Sequence, residues 1–140
     1  MVGPGDASAD QVAAAEEVGR LLARRGAVVV CGGLGGVMEA ACRGARGEGG
    51  TAVGILPGLD RAAANPHVSV AIATGLGEAR NALVVRAAGA LIAVGGAYGT
   101  LSEIALALKA GKPVIGLGTW EIEGVQAAAG PSEAVDAALT

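Results

Sequence analysis

The chain has 140 residues, 52% hydrophobic and 16% charged, with a net charge of −3. That composition suits one domain with a packed core and excludes a disordered chain. With no basic block it excludes a nucleic-acid backbone as partner, and with one Trp, one Tyr and no Phe it lacks the aromatic platforms on which single strands stack.

A mean hydropathy of +0.55 raises the question of a membrane. The longest uncharged stretches, residues 62–77 and 87–102, have 16 residues each and are broken by Gly or Pro, so no membrane partner is expected. The start, Met1-Val2-Gly3-Pro4-Gly5-Asp6, has neither a basic region nor an apolar segment, and a soluble cytoplasmic protein is the expectation. Cys31 and Cys42 are isolated among Val, Gly and Ala, which reads as two small buried thiols. His67 is the only histidine. No metal site is expected.

In chain order, Met1 to Gly3 reads as the tail of a first strand, turned by Gly3-Pro4-Gly5. Ser8 or Asp10 caps a helix to about Arg25, with Val12, Ala15, Gly19 and Leu22 on its buried face. Ala27 to Cys31 is a continuous apolar run, as in a parallel strand covered on both sides. Gly32-Gly33-Leu34-Gly35-Gly36 then opens a second helix, which buries Val37, Ala40, Ala41, Gly44 and Ala45. Such a loop is either a reversal that needs positive φ or a phosphate cradle of backbone N–H groups. Its spacing is neither the dinucleotide fingerprint nor a triphosphate loop.

Thr51 to Leu56 is a third strand, residues 57–67 a loop, and Val68 to Ala73 a short fourth strand. Gly77 to Ala88 reads as helix, with Arg80 and Asn81 near its start. An arginine in a first turn opposes the helix dipole, so Arg80 calls for an anion or a carboxylate nearby.

Ala90 to Val94 is the next strand, followed by Gly95-Gly96-Ala97-Tyr98-Gly99-Thr100-Leu101-Ser102-Glu103 and a helix to Ala110. Leu101, Ile104, Ala105 and Leu108 fall on one helical face. A strand, a glycine loop and a helix in this order expose the unpaired N–H groups of the first turn to an anion. Thr100 adds a hydroxyl, and Glu103, expected in the first turn, adds a carboxylate facing the same hollow. Val114 to Leu117 is another strand, Gly118 to Gln126 is irregular or a weak strand, and Ser132 caps a last helix, Glu133 to Leu139. The alternation predicts one α/β domain over residues 1–140, Rossmann-like, doubly wound and three-layered, with a mainly parallel sheet and both glycine loops at its C-terminal edge. Its 25 glycines and many alanines imply thin, closely packed helices and a homodimer or homotetramer.

Residues 95–103 resemble the P-G-G-x-G-T-x-x-E signature of the lysine-decarboxylase-like, or LONELY GUY, superfamily, with Gly95 and Ala97 at its Pro and second Gly. Arg80 and Asn81 stand where the superfamily's phosphoribohydrolases carry an Arg-Lys pair. Gly35-Gly36-Val37-Met38-Glu39-Ala40, Gly54-Ile55-Leu56-Pro57-Gly58 and Thr74-Gly75-Leu76-Gly77 are similar to the branch that includes the molybdenum-cofactor carrier proteins. The resemblance implies a binding or carrier protein for a phosphorylated small molecule, a nucleotide or the molybdenum cofactor, with no cofactor required by the protein itself. Its ligand residues would be Gly32, Gly33, Gly35, Gly36, Arg80, Asn81, Gly95, Gly96, Gly99, Thr100 and Glu103. The alternatives are hydrolysis of the N-glycosidic bond of a nucleoside 5′-monophosphate, with Arg80 and Glu103 catalytic, and a scaffold with a vestigial site. Losing the Lys removes a cation near the phosphate, which argues against hydrolysis and leaves binding. Arg80 beside Glu103 is expected to keep that carboxylate ionised.

Overall fold

The computed structural model describes residues 1–140. Its elements are α1 (Ala9–Arg24), β1 (Val29–Cys31), α2 (Val37–Gly47), β2 (Ala52–Leu56), β3 (Val70–Ala73), α3 (Arg80–Ala87), β4 (Leu91–Val94), α4 (Tyr98–Lys109), β5 (Val114–Leu117), β6 (Val125–Ala127) and α5 (Pro131–Ala138). Single 3₁₀ turns cover Arg61–Ala63 and Gly77–Ala79.

All strand pairs are parallel, in two three-stranded sheets ordered β1-β2-β3 and β4-β5-β6. The first residues join them. Met1 N donates to Val30 O (2.9 Å), Val2 N to Ile92 O (2.9 Å), and Val94 N to Val2 O (3.0 Å). Val2 therefore occupies a strand position between β1 and β4, paired in parallel with Ala93.

Alternation along the strands builds two cores. Val29, Cys31, Ile92, Val94, Ile115 and Leu117 point to α1, α2 and α5. Val2, Ile55, Leu91, Ala93 and Val114 point to α3 and α4. The result is the three-layer, doubly wound α/β architecture read from the sequence, with both glycine loops at the C-terminal edge. No helix is long and apolar enough to cross a membrane.

Helix α1 starts with a reciprocal cap: Gln11 N donates to Ser8 Oγ (3.2 Å) and Ser8 N to Gln11 Oε1 (3.0 Å). It packs on α2 through glycines that let the two backbones touch. A Cβ at Gly19 would overlap the carbonyl oxygen of Ala41, and one at Gly44 that of Glu16. Backbone cannot swing aside as a side chain does, so Gly44→Ala is expected to cost about 2 kcal/mol through overpacking. Urea unfolding checks this; a loss below ~0.5 kcal/mol would mean that the helices separate freely.

Three expectations are corrected. Helix α5 begins at Pro131 after Gly130, so Ser132 lies inside the helix and is not its cap. Helix α4 begins at Tyr98, which puts Glu103 in its second turn. Its buried stripe is Thr100, Glu103, Ile104 and Ala107, while Leu101 and Leu108 are half-buried and Ala105 is exposed. The strand-facing side takes the small Ala107, and two polar residues turn inward to a cavity.

Candidate functional site

Three chain segments meet above the C-terminal edge of the sheet: the turn Gly3-Pro4-Gly5, the loop Gly32–Gly36 and the loop Gly95–Ala97. Gly36 adopts φ 64°, and a Cβ there would overlap the carbonyls of Pro4 and Gly5. The first N–H of α2, that of Val37, is used by Pro4 O at 3.1 Å. Asn65 clamps the other side: its N–H donates to Gly33 O (2.9 Å) and its Nδ2 to Leu34 O (2.9 Å). Gly33 N donates to Cys31 Sγ at 3.3 Å. The loop 32–36 is thus tied into the fold by its own contacts.

The loop before α4 is less occupied. Gly95, at φ 69°, donates its N–H to Leu117 O (3.1 Å). Ala97 is the N-cap and supplies no side-chain hydrogen bond, and the first helical bond is Leu101 N to Ala97 O (3.0 Å). The N–H groups of Tyr98, Gly99 and Thr100 have no acceptor in the chain. Thr100 is 2% exposed and its Oγ1 is buried without a partner. A buried hydroxyl of this kind costs about 1–3 kcal/mol unless something fills the need.

Arg80, the first residue of α3, reaches into the same place. One of its terminal nitrogens donates to Asn81 Oδ1 and Nη2 lies 3.5 Å from Gly32 O, while Nε is buried and unpartnered. Gly32 makes room for it: a Cβ there would stand 2.6 Å from Nη2 and 2.8 Å from Met38 Sδ.

These groups line a cavity of about 250 Å³. Of the residues expected from sequence, Arg80, Asn81, Gly99, Thr100 and Glu103 line it. Gly32 borders it through Arg80, whereas Gly33, Gly35, Gly36, Gly95 and Gly96 stand outside its wall. Gly3, Pro4, Gly5, Met38 and Ala97 complete the lining and were not expected. Larger hollows lie elsewhere, one of about 290 Å³ between Val28–Val30 and Ala87–Ala90, but its lining is almost wholly apolar. Chemistry favours the smaller cavity.

Burial raises Glu103 to about 7, opposed by the Met1 ammonium and then by Arg80. The expectation that Arg80 would keep this carboxylate ionised is overturned. No ion pair joins them: all four pairs within 4.0 Å lie on other residues. Glu103 is 7% exposed, and loss of water outweighs charges that do not touch it. The Met1 ammonium is itself held below its usual value by burial. In the buried thiol pair, Cys31 is lowered chiefly by the Cys42 thiol, whose sulfur lies 3.5 Å away. The cavity therefore offers the Arg80 guanidinium, the free N–H groups of Gly99 and Thr100, the free Thr100 hydroxyl and a Glu103 carboxyl whose burial favours its protonated form. That set is chemically suited to an anion.

The chain is 45% identical over 137 residues to an uncharacterised protein of Archaeoglobus fulgidus, covering 97% of this chain and 90% of that one. Its fold matches the molybdenum cofactor binding protein of Rippkaea orientalis with a TM-score of 0.91 and 37% identity, over 96% of this chain and 90% of that chain. The molybdenum cofactor carrier protein of Chlamydomonas reinhardtii follows at 0.88 and 38%, over 97% and 92%. The SLOG cluster4 family model matches residues 1–138, and the chain belongs to that family.

Proposed function

We propose that this protein is a cytoplasmic carrier for a phosphorylated small molecule, with the molybdenum cofactor as first candidate. The phosphate would sit at the first turn of α4. The observation that carries the reading is the buried, partnerless Thr100 Oγ1 among the free N–H groups of Tyr98, Gly99 and Thr100, beside the unpartnered Arg80 Nε. Donors that no protein group satisfies fit a phosphate, which brings only acceptors. Two structural relatives named for the molybdenum cofactor support this choice, as does the motif likeness to the lysine-decarboxylase-like superfamily. Native mass spectrometry of protein purified from cells that make the cofactor tests it. A bound phosphorylated pterin that is lost in Thr100→Val is the expected result. A ligand-free mass, with no uptake of added cofactor, would overturn it.

A second reading, N-glycosidic hydrolysis of a nucleoside 5′-monophosphate, is favoured by Glu103 alone. Raised to about 7 in the cavity that Arg80 lines, it is placed to give or take a proton near neutrality. Adenine released from AMP, and its loss in Glu103→Gln, would carry that reading.

The carrier is proposed to be a homodimer. Val53, Ile55, Val70 and Ile72 share one face of β2 and β3, by their register. Val70 and Ile72 are 47% and 46% exposed, although strands of a parallel sheet are ordinarily covered on both sides. Leu76 and Leu83 are exposed apolar side chains as well. Light scattering at micromolar concentration should give twice the chain mass, and Ile72→Glu should give the monomer. A wild-type monomer would sink the proposal.

A further inference from the structure

We propose that Tyr98 and Trp120 form a stacking platform for a planar heteroaromatic ring carried by the phosphorylated ligand. This rests on the proposed phosphate seat at α4. These are the only Tyr and the only Trp of the chain, with no Phe. The composition argued against aromatic platforms; the fold brings the two rings together regardless. Their centroids are 6.3 Å apart and their planes 26° from parallel, within the range of offset stacking.

Trp120 is fixed from below. Its Nε1 donates to Ala97 O at 3.3 Å, in the segment that forms one wall of the cavity. The indole lies on Gly96, where a Cβ would stand 2.9 Å from Nε1 and 3.1 Å from Cδ1. Gly96 thus has a use that is not phosphate binding: it seats the indole. Trp120 in turn positions Tyr98, the first residue of α4, which is 84% exposed. Tyr98 caps nothing and covers no core. Its outer face is a large, stiff surface offered to solvent beside its own free N–H group.

The size of the cavity points the same way. About 250 Å³ falls below the roughly 300–1,000 Å³ of clefts that enclose a drug-sized ligand. It holds the phosphate end, and the remainder must lie across the rim, which Ala97, Tyr98 and Gly99 form. Beyond the rim, next to Trp120, is a hollow of about 430 Å³ lined by Gly118, Thr119, Glu121 and Glu123 among others. Thr119 Oγ1 is buried there without a partner. It suits the nitrogen- and oxygen-bearing edge of a purine or a pterin.

The experiment compares three probes by calorimetry: AMP, neopterin monophosphate and ribose 5-phosphate, which carries a phosphate and sugar but no ring. Emission of Trp120, the sole indole, reports stacking directly. The wild type should bind a ring-bearing probe at least about fivefold more tightly than ribose 5-phosphate, with quenching of Trp120. Which of the two rings wins assigns purine or pterin. Tyr98→Ala, which keeps the backbone N–H of the seat, should bring that probe down to the ribose 5-phosphate level, and Tyr98→Phe should retain the advantage. Equal affinity of all three probes in the wild type, or equal losses for all in Tyr98→Ala, overturns the platform and spares the phosphate seat. Failure of all three to bind removes the seat and the platform together.

Discussion

Glu103→Gln is expected to stabilise the fold by about 3 kcal/mol at pH 8.5 and by less than about 1 kcal/mol at pH 5. In the folded chain burial raises this carboxyl from 4.5 to about 7. Between those values the folded state holds a proton that the unfolded state has released. Stability therefore falls as pH rises from 4.5 to about 7, and the loss is complete above that. At roughly 1.4 kcal/mol for each pH unit the interval is worth about 3 kcal/mol. Glutamine keeps the shape and removes the charge, so it escapes this loss. The Met1 ammonium and the Cys31 thiol titrate nearby in both proteins. The difference between wild type and variant thus isolates Glu103 from their direct contributions. Urea unfolding at the two pH values measures it. A gain equal at both, or absent at pH 8.5, would mean that Glu103 is solvated and carries its charge without cost.

Three strands and their direction were legible because each is a short apolar run ended by glycine: Val29–Cys31 before Gly32, Leu91–Val94 before Gly95 and Val114–Leu117 before Gly118, whereas Val125–Ala127, with Gln126 at its centre, read only as irregular or a weak strand. A parallel sheet needs little else to be recognised. The α1–α2 contact was half legible. Gly19 and Gly44 were placed on buried faces, yet backbone touching backbone is a distance, which no residue type encodes. The lining of the cavity was legible where helix starts fix it: Arg80 at α3, Gly99 and Thr100 at α4. The buried stripe of α4 was misread because its phase was set by apolar residues alone. Leu101 and Leu108 outweigh Thr100 and Glu103 on any hydropathy scale, but the strand face had room only for Ile104 and Ala107.

What the sequence hid most completely were tertiary partners without side-chain chemistry of their own. Pro4 and Gly5 line the cavity because Gly36 lets their carbonyls rest on the start of α2. Asn65 holds loop 32–36 from a segment more than thirty residues away, and nothing but its place beside Pro66 marks it. The roles of the glycines also divide in a way that spacing cannot show. Gly33 and Gly36 serve positive φ, Gly32 admits Arg80, Gly96 seats Trp120, and Gly99 faces the cavity.

Arg80→Ala is expected to weaken binding of ribose 5-phosphate or AMP by about 1.5–3 kcal/mol, the usual worth of a hydrogen bond to a charged group. The geometry suits this arginine to a phosphate and not to pairing with Glu103. Its terminal nitrogens are engaged with Asn81 Oδ1 and Gly32 O, which fix the guanidinium plane, and Nε is buried with no partner. A fixed donor loses little entropy when a phosphate arrives. Glu103→Gln should behave differently. At pH 6 the carboxyl is mostly protonated and the substitution changes affinity little. At pH 8 the wild-type carboxylate repels the phosphate and the glutamine does not, so the variant should bind more tightly there. Calorimetry on both variants at the two pH values separates the roles. Equal losses from the two substitutions, or none from Arg80→Ala, would place the phosphate away from α4 and leave residues 95–103 as a turn between strand and helix.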